Sequence, residues 1–116
     1  TFKKNFRFIL DHLQGKLKNK KNILLITIPD FGVTPTGKNF SGGRNISKGI
    51  AEFNEVIKAE AAERGLPVVD IFETTKKMGT DTTLVAPDGL HPSAKEYAIW
   101  EKMILPEFEK IITDDE

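Results

Sequence analysis

Ile23-Leu24-Leu25-Ile26-Thr27-Ile28-Pro29-Asp30 is the stretch on which the architecture turns. Its first six residues form a short, nearly continuous apolar run, and apolar side chains on both faces suit a central strand of a parallel sheet. Pro29 lacks an N–H and halts the ladder. Towards the N-terminus, Phe2, Phe6, Ile9, Leu10, Leu13 and Leu17 recur at three- and four-residue steps, with Lys3, Lys4, Arg7, Lys16 and Lys18 between them. That spacing predicts an amphipathic helix, joined to the strand by the basic turn Lys18–Asn22. Towards the C-terminus, Pro and Gly punctuate residues 29–44 at Gly32, Pro35, Gly37, Gly42 and Gly43 with no sustained period, which predicts a long loop at the strand's carboxyl end.

Beyond the loop, Ile46, Ile50, Phe53, Ile57 and Ala61 share one face of a second helix, with Gly65 placed to end it in a left-handed conformation. A second short strand is expected over Pro67–Phe72, followed by a short helix and turn over Glu73–Thr83. The last long helix starts near Ser93. Ser93 and Glu96 have capping-box spacing, and Tyr97, Trp100, Ile104, Phe108 and Ile111 form its buried stripe. Pro106 is expected to kink or split that helix, and Thr113–Glu116 to fray. Alternation of helix and strand specifies an α/β class with a parallel sheet. In such sheets ligands bind beyond the carboxyl ends of the strands, where the 29–44 loop and the segment before Ser93 both emerge.

With 116 residues the chain amounts to one domain at most. Its 17 basic and 17 acidic residues cancel, so no broad positive surface exists to neutralise phosphates, and nucleic acid is a poor partner. Absence of cysteine removes disulfides and thiolate metal sites and leaves the compartment open. Ile23–Ile28 is far too short to span a bilayer, and the opening Thr1-Phe2-Lys3-Lys4, with neither signal-peptide architecture nor an initiator methionine, reads as a cut end.

Reactive side chains, a turn residue and a helix start come together in Asp88-Gly89-Leu90-His91-Pro92-Ser93. A neutral imidazole serves as a general base near pH 7 once a carboxylate accepting its Nδ1–H fixes the tautomer. Three residues on a tight loop suffice to bring Asp88 to the ring of His91. By spacing alone the competing interpretation is a surface turn in which Asp88 accepts backbone N–H groups and His91 packs or caps.

The wider sequence shifts that balance. Asp88-Gly-Leu-His-Pro-Ser with Ala94-Lys-Glu-Tyr97-Ala-Ile-Trp100 resembles the last sequence block of SGNH (GDSL-type) hydrolases, in which the Asp and His of an Asp-x-x-His motif complete a serine triad. Ile28-Pro29-Asp30-Phe31-Gly32-Val33-Thr34-Pro35, Ile50-Ala-Glu-Phe53-Asn54 and Val69-Asp70-Ile71 resemble earlier segments of the same family in the same order. The resemblance implies a three-layer α/β/α, flavodoxin-like domain of which residues 1–116 are the C-terminal part. It also implies a cofactor-free serine ester hydrolase with His91 as base and Asp88 as its orienter, acting on a small-molecule ester. The family's Gly-Asp-Ser nucleophile block, its oxyanion-hole Gly and its Asn are missing, so the isolated segment is expected to be inactive and to self-associate or pair with its upstream half.

Other candidates rank below this pair. Asp30, Phe31 and Thr34 are expected to contact substrate because they leave a central strand beside the site, though Asp30 also suits an Asx turn. Ser41, Ser47 and Ser93 lack the strand–turn–helix setting of an activated nucleophile. His12 reads as a partly exposed helical histidine, Asn39 as a loop residue that can meet substrate, and Tyr97 and Trp100 as core. No metal site is expected from two histidines and no cysteine, and Gly42-Gly43 lacks the rest of a phosphate-binding motif. The rival class is a non-catalytic α/β binding or assembly module, including a carbohydrate-binding relative that has lost catalysis.

Overall fold

The computed structural model describes residues 1–40 and 42–114, the side chain of residue 114 excepted. Helix α1 spans Phe2–Lys16, and the Thr1 hydroxyl at its N-cap accepts the Lys4 N–H. The basic turn that follows is closed by Gln14 and Lys20, each side chain donating to the other residue's carbonyl at 2.8 Å. The chain then enters strand β1, Leu25–Ile26, which lies parallel to β2, Val68–Val69, with Leu25 opposite Val68 and Ile26 opposite Val69. Flanking bonds from Leu25 N–H to Pro67 C=O and from Thr27 N–H to Val69 C=O lengthen the pairing at both ends.

Between the strands runs the crossover helix α3, Ile46–Arg64. Asn45 caps it, accepting the Lys48 N–H. At its other end Gly65 adopts φ +66°, and the Leu66 N–H returns to the Ala61 carbonyl at 2.8 Å. A residue with a side chain rarely occupies that left-handed position, so the helix stops where the glycine stands. The core forms on this helix's inner face, where Leu10, Ala61 and Leu66 are buried and Phe6, Ile23, Leu25 and Val68 pack around them.

Several expectations are revised. Residues 29–44 are not an unstructured loop: they contain a 3-10 turn, Phe31–Val33, and a short helix α2, Pro35–Asn39, capped by Thr34 with Pro35 in its first position. Thr34-Pro35 is an ordinary helix-start signal, masked in the sequence by the surrounding glycines. After β2, helix α4 (Phe72–Thr75) and two 3-10 turns, Lys76–Gly79 and Thr82–Leu84, lead to the last helix, α5, Ala94–Asp114. Pro106 sits inside α5 without splitting it. The expected capping box is half formed. Ser93 Oγ accepts the Glu96 N–H at 3.4 Å, but the Ser93 N–H goes to Leu84 C=O and the Glu96 carboxylate turns inward to the Trp100 indole N–H.

The expected buried stripe of α5 is only partly covered: Trp100, Ile104 and Ile111 are half-buried, whereas Tyr97 is 50% and Phe108 47% exposed. On α1, Leu10 is buried while Ile9 and Leu13 are exposed. Strand β1 is likewise not enclosed, since Ile26 is 40% exposed. The shared physical reason is that these apolar faces have no covering layer among the described residues. The chain shows mostly helix around a two-stranded parallel sheet.

Candidate active site

Residues 85–93 form a hairpin-like loop between the turn at Thr82–Leu84 and α5. Val85 and Pro92 face each other in an antiparallel bridge, Ala86 N–H donates to His91 C=O at 2.7 Å, and Ser93 N–H donates to Leu84 C=O at 2.9 Å. Within it the Gly89 N–H donates back to Ala86 C=O, closing a tight turn with Gly89 at φ +73°. This folding brings the Asp88 carboxylate round to its successors. Oδ1 accepts the backbone N–H groups of Leu90 and His91 at 2.9 and 3.0 Å, and Oδ2 pairs with His91 Nδ1.

Three donors on one carboxylate favour its ionised form. The His91 contact first, then the Leu90 and His91 N–H groups, lower the Asp88 pKa to about 2. At neutral pH Asp88 therefore only accepts, and the network assigns a proton to His91 Nδ1, so that in the neutral form of the ring the lone pair is on Nε2. The imidazole side chain is 68% exposed and lines a cavity of about 380 Å³. Pro29, Phe31 and Phe40 form the wall from the β1 end; Leu90 and Pro92 come from the His91 loop, and Tyr97 and Trp100 from α5. Tyr97 and Trp100 meet edge to face at 5.1 Å. Both were expected in the core, and both stand on this wall. A larger hollow of about 490 Å³, lined by residues such as Asn22, Leu66, Pro67 and Lys110, lies by the opposite, amino-terminal strand ends and gathers no comparable reactive pair.

The three residues expected to meet substrate separate here. Phe31 is on the cavity wall, whereas Asp30 and Thr34 lie beneath it, each 0% exposed. The Asp30 carboxylate accepts from Ser47 Oγ at 2.6 Å and Lys76 Nζ at 2.8 Å, and its N–H donates to Thr75 Oγ1. Lys76 also stands over the Phe72 ring, 4.2 Å from its centroid. Thr34 Oγ1 donates to Phe31 C=O and accepts the Gly37 N–H. Both side chains thus spend their polar atoms on holding the turn that presents Phe31.

Ser47 is committed to Asp30, and the Ser93 hydroxyl donates to Thr83 C=O at 2.7 Å; Ser41 lies outside the described residues. His12 is exposed on α1 beside Phe8, and Asn39 is exposed in α2. Among the described residues no group of three or more His, Cys, Asp or Glu gathers as a metal site, and no helix is long and apolar enough to cross a membrane. Sequence reasoning missed Phe40, an isolated apolar residue in a glycine-rich stretch, and Thr36, which bonds the Asp88 loop from α2.

Residues 1–104 match the family profile described as GDSL-like lipase/acylhydrolase. The chain belongs to this family. A multidomain esterase from Ruminococcus flavefaciens is 30% identical over 104 residues, which cover 87% of this chain. The chain spans only 12% of that curated relative's length. No solved structure matches. In a family of ester hydrolases, the Asp88–His91 pair lies inside the matched region and beside an apolar cavity.

Proposed function

We propose that this chain is the C-terminal part of a single three-layer α/β/α domain of a serine ester hydrolase, supplying the base and orienter of its triad. The carrying observation is the His91 ring, held through Nδ1 by the ionised Asp88 and lining an apolar cavity. The nucleophilic serine and the oxyanion donors come, in this reading, from sequence upstream.

His91 Nε2 takes the serine hydroxyl proton as the oxygen attacks the ester carbonyl, and the electron pair of the carbonyl moves to its oxygen. The imidazolium, stabilised by Asp88, then protonates the leaving alkoxide as the acyl-enzyme forms. In the second half His91 deprotonates water, and the serine leaves with that proton. Asp88 stays ionised throughout. No cofactor enters any of these steps. Phe31, Phe40, Leu90 and Trp100 offer the apolar side of a small ester a surface from which water is displaced, and Asp30 and Thr34 act through Phe31 rather than on the substrate.

The test uses the full-length protein. It is expected to hydrolyse short-chain aryl esters and to be labelled on one serine by a fluorophosphonate, with both reactions lost in His91→Ala. Normal labelling and turnover in that variant, with the fold intact by circular dichroism, would favour the non-catalytic role for the pair.

A further inference from the structure

The geometry points to Thr36 of helix α2 as a positioning residue for the Asp88–His91 pair, an inference that rests on reading that pair as orienter and base. The Thr36 hydroxyl donates to the Asp88 carbonyl at 2.6 Å across 52 residues of sequence, and its N–H donates to the Gly89 carbonyl at 2.9 Å. One residue thus holds two successive carbonyls of the turn. The Asp88 carboxylate is itself bonded to the N–H groups of Leu90 and His91. Its direction therefore follows the loop backbone, and the loop backbone is held from outside by Thr36.

Helix chemistry makes the second bond favourable. Thr36 lies in the first turn of α2, where N–H groups have no partner within the helix, so the Gly89 carbonyl satisfies a donor that would otherwise need water. The fit is close. Gly89 sits at φ +73°, and a Cβ placed on it would come within 2.6 Å of Thr36 Oγ1. A side chain at this position would have to expel the hydroxyl.

The clamp works because α2 is itself fixed. A Cβ on Gly37 would lie 1.9 Å from the Phe31 carbonyl oxygen, so the helix rests directly on the 3-10 turn. Thr34 ties the same two elements, and the buried Asp30 anchors the turn to Ser47 and Lys76. A continuous set of bonds therefore runs from a buried carboxylate to an exposed catalytic loop. Without the Thr36 hydroxyl, the Asp88 carbonyl is free to move and the carboxylate meets the imidazole at a poorer angle. Misplacement of a reacting group by about 1 Å costs on the order of a hundredfold in rate.

Thr36→Val keeps the side-chain shape and the backbone N–H and removes only the hydroxyl, while Thr36→Ser restores it. In the full-length protein acting on an aryl acetate, Thr36→Val is expected to lower kcat by about ten- to a hundredfold with KM within about twofold. Thr36→Ser should return kcat to within about threefold of the parent. ¹⁵N spectra of the histidine-labelled protein should show the His91 ring as one Nδ1–H tautomer in the parent and Thr36→Ser, and as a mixture in Thr36→Val. Unchanged kcat and an unchanged ring in Thr36→Val overturn the inference, as does a lowered melting temperature with both unchanged, which is a purely structural role. A changed ring in Thr36→Val combined with normal turnover in His91→Ala upholds the clamp and removes the triad reading instead.

Discussion

Asp88 contributes its charge at the residue scale, and the pH dependence of that charge is open to measurement. Its folded pKa is depressed to about 2, against roughly 3.9 for an unfolded aspartate. A depressed acid stabilises the folded state above the unfolded value and loses that contribution as pH falls through the folded one. The loop should therefore keep its full Asp88 contribution above about pH 4 and shed it between there and about pH 2. Carbon NMR of the carboxyl group follows this directly. Because His91 is the largest cause, the midpoint should rise in His91→Ala; a midpoint that stays put would assign the depression to the backbone N–H groups alone. Phe31 belongs at this scale too. It is 39% exposed on the cavity wall, so Phe31→Ala should change the preference among acyl chain lengths more than it changes the melting temperature. A fall of many degrees with KM unchanged would make Phe31 a packing residue.

At the scale of elements, the end of β1 is closed by a side chain. Leu25 and Thr27 direct their N–H groups to β2, so the backbone of Ile28 points to the other edge. There Asn54, 2% exposed on α3, accepts the Ile28 N–H at 2.8 Å and donates to the Ile28 carbonyl at 3.0 Å. Asn54→Ala should cost about 1–3 kcal/mol by leaving partly buried backbone groups unpaired, measurable by urea denaturation; a change below about 0.5 kcal/mol would mean that water replaces the amide. Much of this level was legible in the sequence, because α1, α3 and α5 follow strong three- and four-residue periods and Gly65 stops α3 where expected. The short elements were less so. Strands of two residues and a helix of five have no period to display, and the Thr34–Pro35 start of α2 was outweighed by Gly32, Gly37 and Gly42. The contact between Asp88 and His91, three residues apart, could be expected once the family resemblance favoured it over a surface turn, whereas the Thr36 contact, 52 residues from Asp88, could not. The burial of Asp30 depends on Ser47 and Lys76 arriving from two other elements, which no local pattern encodes.

For the molecule as a whole, the open faces matter most. The radius of gyration is 15.7 Å, against about 13 Å for a compact domain of this length. Among the described residues the sheet has two strands, each with one edge unpaired by strand, and α5 presents Tyr97, Leu105 and Phe108 to solvent. Exposed edges and apolar stripes of this kind drive association. We therefore expect these 116 residues, prepared alone, to hydrolyse aryl esters no faster than background and to self-associate or to bind the upstream half of the domain. Size-exclusion chromatography with light scattering should give a mass above that of one chain; a cooperative monomer would mean that the helix faces are covered in a way the present arrangement does not include. In the proposed reading, upstream sequence that completes the sheet also brings the serine to His91. The most direct test is accordingly made on the full-length protein: kcat for an aryl ester in the parent, His91→Ala and Asp88→Asn, each with its fold checked by circular dichroism. The triad assignment predicts losses of at least about a thousandfold in both variants with little change in KM, as removal of a base or its orienter entails. Turnover within about tenfold of the parent in a folded His91→Ala variant would contradict it.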